Sequence, residues 1–225
     1  MNPFPLIKTG AENQRWGVKD NFKAILFDLG NVVVNFNHWI AVKRISEFAK
    51  KSPRDIYQLF FDSNLTSLYE EGKLSSIDFF SRVKDMLNLS IDYKKFVPIW
   101  NEIFFLTPDN LQIHKLALEL RDKYKVFLIS NINELHFNYI KERFKVLDGF
   151  EGFILSYQVK ARKPDPKIYR AAIEYSCANP EQIVYIDDRE DLVEAGRKIG
   201  LNSFSFKGIQ ELKKELHRLG ICITK

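Results

Sequence analysis

The sequence predicts an α/β fold: a doubly wound parallel sheet carrying an inserted α-helical block. Two patterns point to it. From Thr107 onward, short apolar runs alternate with stretches of helical period, as strands joined by crossover helices do. Between residues 38 and 105 the strand pattern gives way to helical spacing, which sets that stretch apart as a small unit with its own core. The length of 225 residues, 45% hydrophobic and 28% charged, fits one large or two small globular domains and excludes a wholly disordered chain.

Residues 1–21 read as an extension, because Pro3, Pro5, Gly10 and Gly17 break any periodicity. Residues 23–28 form an apolar run that ends on an acid, a short buried strand. Gly30 and Asn31 part it from the apolar Val32, Val33 and Val34, and a tight turn there would leave Asp28 at the strand's carboxyl edge. Trp39, Val42, Ile45, Phe48 and Ala49 then recur at helical spacing. Ser52, Pro53 and Asp55 make a capping box with proline at the first helical position. Ser75 and Asp78 repeat the device before Phe79, Phe80, Val83, Met86 and Leu87. Tyr93, Phe96, Val97, Trp100, Ile103 and Phe104 give another apolar helical face, which Pro98 is expected to kink.

Thr107-Pro108 caps a helix to about Lys123, ahead of a strand over 124–129 that ends at Ser130. A helix starts near Asn133, residues 153–155 read as a strand, and Asp165-Pro166 opens a helix to about Tyr175, with Asp165 its N-cap. Residues 183–186 form a strand ending on Asp187 and Asp188, followed by a helix to Gly200. Residues 202–206 and a helix bearing Ile209, Leu212, Leu216 and Leu219 complete the series. The expected organisation is an extension (1–21), an α/β core (22–37 and 106–225) and an inserted helical unit (38–105).

Thirty-four Lys and Arg against 29 Asp and Glu give a net charge of +5. The two signs are interleaved, so the stripe that nucleic-acid binding needs is missing, and a small anionic ligand fits better. Residues 103–106, among the longest apolar runs, fall far short of the roughly 18 that span a membrane. Residues 1–20 lack the apolar segment of a secretory signal. Two cysteines, Cys177 and Cys222, predict a reducing, cytoplasmic setting. Nothing in the pattern sets an oligomeric state.

Ligands of open α/β sheets bind beyond the carboxyl ends of the strands. There the sequence places Asp28, Ser130 and the pair Asp187-Asp188, with Lys163 shortly before a helix start. Carboxylates are hard oxygen ligands for Mg²⁺, while a hydroxyl, backbone N–H groups and an ammonium suit phosphoryl oxygens. Plainer readings exist: a turn aspartate at 28, helix caps at Ser130 and Asn131, a solvated lysine beside Lys160, Arg162 and Lys167, and capping acids at 187 and 188. The four histidines lack metal-ligand spacing. His38 lies near the expected mouth of the site, whereas His114 and His217 read as structural, and Trp100 and Phe104 as core.

In order along the chain, residues 27–32, 128–131, 163–169 and 185–188 resemble the four motifs of the haloacid dehalogenase-like (HAD) superfamily, most of whose members are phosphatases. The resemblance covers about residues 22–210 and implies a Rossmann-like core with the helical block as a cap inserted after the first strand. It implies that Asp28 attacks phosphorus to form an aspartyl-phosphate. It further implies that Ser130 and Lys163 hold the phosphoryl group, with Leu29, Gly30 and Asn131 around it. Mg²⁺ would be bound by Asp28, the Gly30 carbonyl and Asp188, with Asp187 helping alongside.

One departure concerns the chemistry. The family's usual second aspartate, its general acid and base, is Gly30 here, and losing such a group typically costs about 10²–10⁴-fold in rate. A branch of small sugar-phosphate phosphatases, of the glucose-1-phosphate phosphatase type, has a similar Asp-x-Gly-Asn-Val motif. Asp187, Glu70, Glu71 and metal-bound water are the open substitutes. Two further departures are Leu192, where relatives often carry a polar residue, and Lys160, where glycine is usual. The expected function is a Mg²⁺-dependent phosphatase of a small metabolite, such as a sugar phosphate. One alternative is a metal-independent 2-haloacid dehalogenase, favoured by Gly30 and opposed by Asp187-Asp188. The other is a non-catalytic protein that binds phosphorylated metabolites, for which Gly30 and Leu192 are the support.

Overall fold

The computed structural model describes residues 21–61, 64–221 and 223. All but the last residue of the expected extension, and Cys222, lie outside them. The first strand, β1 (Ala24–Phe27), is buried along its whole length, as a central parallel strand covered on both faces must be. The chain then turns through residues 31–33 into β2 (Asn35–Phe36). Among the described residues five helices follow: α1 (His38–Ser46), α2 (Pro53–Phe61), α3 (Asn64–Glu70), α4 (Ser76–Leu87) and α5 (Tyr93–Asn101). The chain returns through β3 (Phe104–Phe105), which pairs antiparallel with β2 so that Asn35 faces Phe105 and Phe36 faces Phe104.

The remainder alternates: α6 (Pro108–Leu120), β4 (Lys125–Ser130), α7 (Glu134–Arg143), β5 (Gly152–Leu155), α8 (Ser156–Val159), α9 (Pro166–Ser176), β6 (Ile183–Asp187), α10 (Glu190–Lys198), β7 (Asn202–Ser205) and α11 (Ile209–Arg218). The sheet is parallel throughout, in the order β5-β4-β1-β6-β7. The strand order reverses at β1, so the crevice beyond its carboxyl end is the natural ligand position. Alternation along the strands divides the core. Ile25, Phe27, Val126, Leu128, Val184 and Ile186 pack on one face with Ile113, Leu116 and Leu212. Ala24, Leu26, Phe127, Ile129 and Tyr185 pack on the other with Ile168, Tyr169 and Ala172.

The helical block has its own apolar cluster, including Val42, Ile45, Ile56, Phe60, Tyr69, Phe79, Phe96 and Trp100. Both expected capping devices form: the Asp55 N–H donates to Ser52 Oγ at 3.2 Å, and the Asp78 N–H to Ser75 Oγ at 3.1 Å. Two local expectations are corrected. Phe48 and Ala49 lie beyond the end of α1. Ile103 and Phe104 are not helical, because α5 stops at Asn101 and the backbone of Phe104 finds its partners in β2. None of the described helices is long and apolar enough to cross a membrane.

Candidate active site

The parallel register brings Phe27 beside Leu128 and Ile186, so Asp28 emerges between the ends of β4 and β6. Its N–H is fixed to the Ile186 carbonyl at 2.8 Å. Lys163 crosses beneath it. The Nζ ammonium donates to Asp28 Oδ1 and Asp187 Oδ2, both at 2.6 Å, and to the Ile129 carbonyl at 3.1 Å. Asn131 holds the lysine's backbone at both ends: Asn131 Nδ2 donates to the Lys163 carbonyl at 2.9 Å, and the Lys163 N–H to Asn131 Oδ1 at 2.7 Å. Neither Ser130 nor Asn131 caps the next helix, since Asn133 does so by accepting from the His136 N–H at 3.0 Å.

Asp187 is fully buried under the site. Beyond Lys163 it accepts from the Tyr185 hydroxyl, two residues back on the same face of β6, and from the Arg189 N–H at 2.9 Å. Asp188, the most exposed of the three acids, accepts from Asn31 Nδ2 at 3.1 Å. Asn31 sits at φ +56°, a left-handed conformation that asparagine tolerates better than most residues.

These groups put three carboxylates around one ammonium. Burial raises the Asp28 carboxyl from its ordinary 3.8 to about 7, and repulsion from Asp187 and Asp188 adds to this against the pull of Lys163. The Asp188 carboxyl is raised too, by burial first and then by Asp187. Burial alone would lower the Lys163 pKa, but Asp28 and Asp187 reverse the sign and keep it charged. One carboxylate oxygen from each of Asp28, Asp187 and Asp188 lies within 4.8 Å of the others. An excess of clustered hard oxygen donors, with two of the carboxyls raised in pKa, fits a divalent cation such as Mg²⁺.

Above the acids is a cavity of about 280 Å³. Asp28, Leu29, Gly30, Ser130, Asn131, Lys163 and Asp188 line it from the sheet. Phe36, His38, Phe61, Thr66, Ser67, Glu70 and Phe104 line it from the ribbon and the helical block. Of the expected site residues only Asp187 lies outside this lining. Phe36 explains Gly30 sterically, since a Cβ at position 30 would lie 2.7 Å from its ring. His38 packs tilted against Phe36 and Phe61 at centroid distances of 4.7 and 4.2 Å, and burial drives its pKa down to about 4. Lys160 occupies φ +60°, which accounts for the glycine usual there, and its ammonium reaches the Gly72 carbonyl at 2.7 Å. Leu192 is buried in the cavity wall, its carbonyl accepting from the Tyr169 hydroxyl at 3.0 Å. Asp165 caps α9 through the Lys167 N–H at 2.8 Å.

Sequence reasoning missed Phe36, Thr66, Ser67, Arg162 and His136. Thr66, Ser67 and Glu70 share one turn of α3 with the buried Tyr69, and in sequence such a polar face reads as a solvated one. His136 is buried against Trp100, its Nε2 3.0 Å from the Trp100 carbonyl, and burial lowers its pKa to about 3.

A doubly wound sheet that gathers acids and a lysine at its carboxyl edge, beneath an inserted helical block, defines a Rossmann-like α/β hydrolase scaffold. Residues 22–200 match the haloacid dehalogenase-like hydrolase family, and the chain belongs to it. It is 25% identical over 202 residues to a D-ribitol-5-phosphate phosphatase of Bacteroides thetaiotaomicron, covering 86% of this chain and 96% of that one. A HAD family enzyme from the same organism, crystallised with magnesium and inorganic phosphate, superposes with a TM-score of 0.73 at 27% identity, covering 83% of this chain and 94% of that one. The fold is also that of a predicted HAD-like hydrolase from Porphyromonas gingivalis, with a TM-score of 0.76 at 20% identity over 90% of this chain and all of that one.

Proposed function

We propose that this hydrolase is a Mg²⁺-dependent phosphatase of a small phosphorylated metabolite such as a sugar phosphate, with Asp28 as its nucleophile and residues 38–105 as its cap. The observation that carries the reading is the buried Lys163 ammonium, bonded to Asp28 inside a cluster of three carboxylates at the floor of the cavity. A dianionic phosphoryl group beside an anionic nucleophile is stabilised by a fixed cation together with a metal, whereas a haloacid needs no such acidic cluster. Relatives described as phosphatases, one solved with magnesium and phosphate, favour the same reading. A cytoplasmic setting accords with Cys177, which forms no disulfide among the described residues.

In this mechanism an Asp28 oxygen bonds to phosphorus in line with the ester oxygen, the P–O ester bond breaks, and the alcohol leaves with a proton. Water then attacks the aspartyl-phosphate, releasing inorganic phosphate and restoring the carboxylate. Lys163 and Ser130 hold the phosphoryl oxygens, while Leu29 and Gly30 shape the turn around them. Asn131 acts by fixing the lysine. Asp28, Asp188 and the Gly30 carbonyl would hold Mg²⁺, with Asp187 in support, and the ion when bound would neutralise phosphoryl charge.

Gly30 cannot supply the leaving-group proton. Asp187 is committed to Lys163, Tyr185 and Arg189, and Glu71 pairs with Lys73 away from the cavity. Glu70 lines the cavity, but it is paired with Arg162 at 2.8 Å as Asp187 is with Lys163, so neither acid is assigned the leaving-group proton, which reaches the alcohol from solvent water.

The test is phosphate release from an aryl phosphate and from hexose 1-phosphates, with Mg²⁺ or EDTA. Release that Asp28→Asn and EDTA each abolish is expected. Halide release from a 2-haloacid in EDTA, without phosphatase activity, would establish the dehalogenase instead. Binding of Mg²⁺ and phosphate without turnover would establish a binding protein.

A further inference from the structure

The roof of the cavity holds a polar cluster that the hydrolysis of a phosphoryl group does not require. Thr66 is 8% exposed and lines the cavity, yet its Oγ1 has no hydrogen-bond partner among the described residues. A buried hydroxyl left unpaired is destabilising, and native structures keep few of them. On the next helical position, Ser67 Oγ accepts from Arg162 Nη1 at 2.8 Å. Arg162 Nε lies 2.8 Å from Glu70 Oε2, but at an angle that leaves its N–H without a proper acceptor. Arg162 immediately precedes Lys163, so one short loop serves the floor and the roof.

We infer that Thr66, with the Arg162–Glu70 pair, forms a subsite that reads hydroxyl groups on the alcohol part of the substrate. The inference rests on the phosphatase reading and specifies its substrate as a hydroxylated alkyl phosphate, a polyol or open-chain sugar ester. A hydroxyl can both donate and accept, so it pairs with Thr66 and with the under-satisfied guanidinium or its carboxylate. An apolar alcohol would bury the Arg162–Glu70 pair further and leave the Thr66 hydroxyl unpaired. At about 280 Å³ the cavity is at the small end of ligand sites, which suits a metabolite of a few carbons better than a nucleotide. A turn about χ1 carries the threonine's hydroxyl to a second staggered position, and threonine in helices uses two rotamers. Thr66 can therefore present its oxygen to a ligand without moving α3.

The test compares kcat/KM on a linear pentitol phosphate and on n-pentyl phosphate for the wild type, Thr66→Val and Thr66→Ser. The wild type is expected to prefer the pentitol ester. Thr66→Val should shrink that preference roughly fivefold to tenfold, the loss of one neutral hydrogen bond, and Thr66→Ser should retain it. Thr66→Val should also melt about 2–4 °C higher, because it removes the unpaired hydroxyl without changing the side chain's shape. An unchanged preference in Thr66→Val, or an equal loss on both esters, overturns the subsite while leaving the phosphatase standing. A wild type that hydrolyses neither these esters nor an aryl phosphate overturns the phosphatase reading and the subsite with it.

Discussion

The Asp28 carboxyl is held in a place that opposes its own ionisation, and this gives a quantitative expectation for Asp28→Asn. In the unfolded chain the group has its ordinary pKa of 3.8; folded and metal-free, it is raised to about 7, by burial first and then by Asp187 and Asp188. The folded state therefore binds more protons than the unfolded state between these values, and stability falls as pH rises through that window. Below about pH 4 both states are protonated and nothing is lost. Above pH 7 the gap of about 3, at ~1.4 kcal/mol each, is on the order of 4 kcal/mol. An asparagine keeps an acceptor for Lys163 and leaves the Lys163–Asp187 pair in place. Asp28→Asn should thus melt higher than the wild type in EDTA at pH 8, by about 10 °C at 2–4 °C per kcal/mol. The difference should close on titration to pH 4. Mg²⁺ should narrow it from the other side, since a ligand at 100 times its Kd returns about 2.7 of those roughly 4 kcal/mol to the form that binds it. Calorimetry on both proteins across this pH range is the assay. A variant that melts below the wild type at pH 8 in EDTA would refute the electrostatic account of the site.

Three further expectations follow from neighbouring contacts. Lys163→Met strands Asp28 and Asp187 without their cation, and removing one partner of a buried pair costs about 3–5 kcal/mol, so its melting temperature should drop by roughly 6–20 °C along with its activity. A Lys163→Met protein as stable as the wild type would contradict the contacts drawn from Lys163. Gly30→Asp, which supplies the missing acid, should be destabilised by about 1–3 kcal/mol through its clash with Phe36, and a second change, Phe36→Leu, should relieve it; urea melts of the single and double variants decide this. His136 is neutral in the fold because burial lowers its pKa from 6.5 to about 3, so its stabilising effect is full above pH 6.5 and lost as pH falls toward 3. By pH 5 the loss is about 2 kcal/mol, and His136→Gln should show a correspondingly shallower acid dependence of unfolding.

The floor of the site was legible because its residues terminate apolar runs: Asp28, Ser130 and Asp187 each follow a stretch that has to be a buried strand. Strand period also puts Tyr185 and Asp187 on one face, so their bond was readable in principle. The roof was not legible. Thr66, Ser67 and Glu70 meet Arg162 only through tertiary packing, and a polar helical face reads in sequence as a solvated one. The β2–β3 ribbon escaped for a related reason, since two-residue strands have no period and their partner lies on the far side of five helices. Phe104 was misread as helical because its aromatic spacing continued that of α5, while the backbone bond that ends α5 leaves no trace in composition.

That ribbon also bears on how substrate choice could change. Asn35 and Phe105 face each other across an antiparallel pair, so the two junctions of the helical block are about 5 Å apart. A segment whose own ends meet at that spacing could be spliced in as a cassette while β1 and the carboxylates keep their places. The transplant would have one condition attached. Arg162 belongs to the recipient, so a donor segment must bring a carboxylate where Glu70 now stands, or leave a buried guanidinium without its counter-charge.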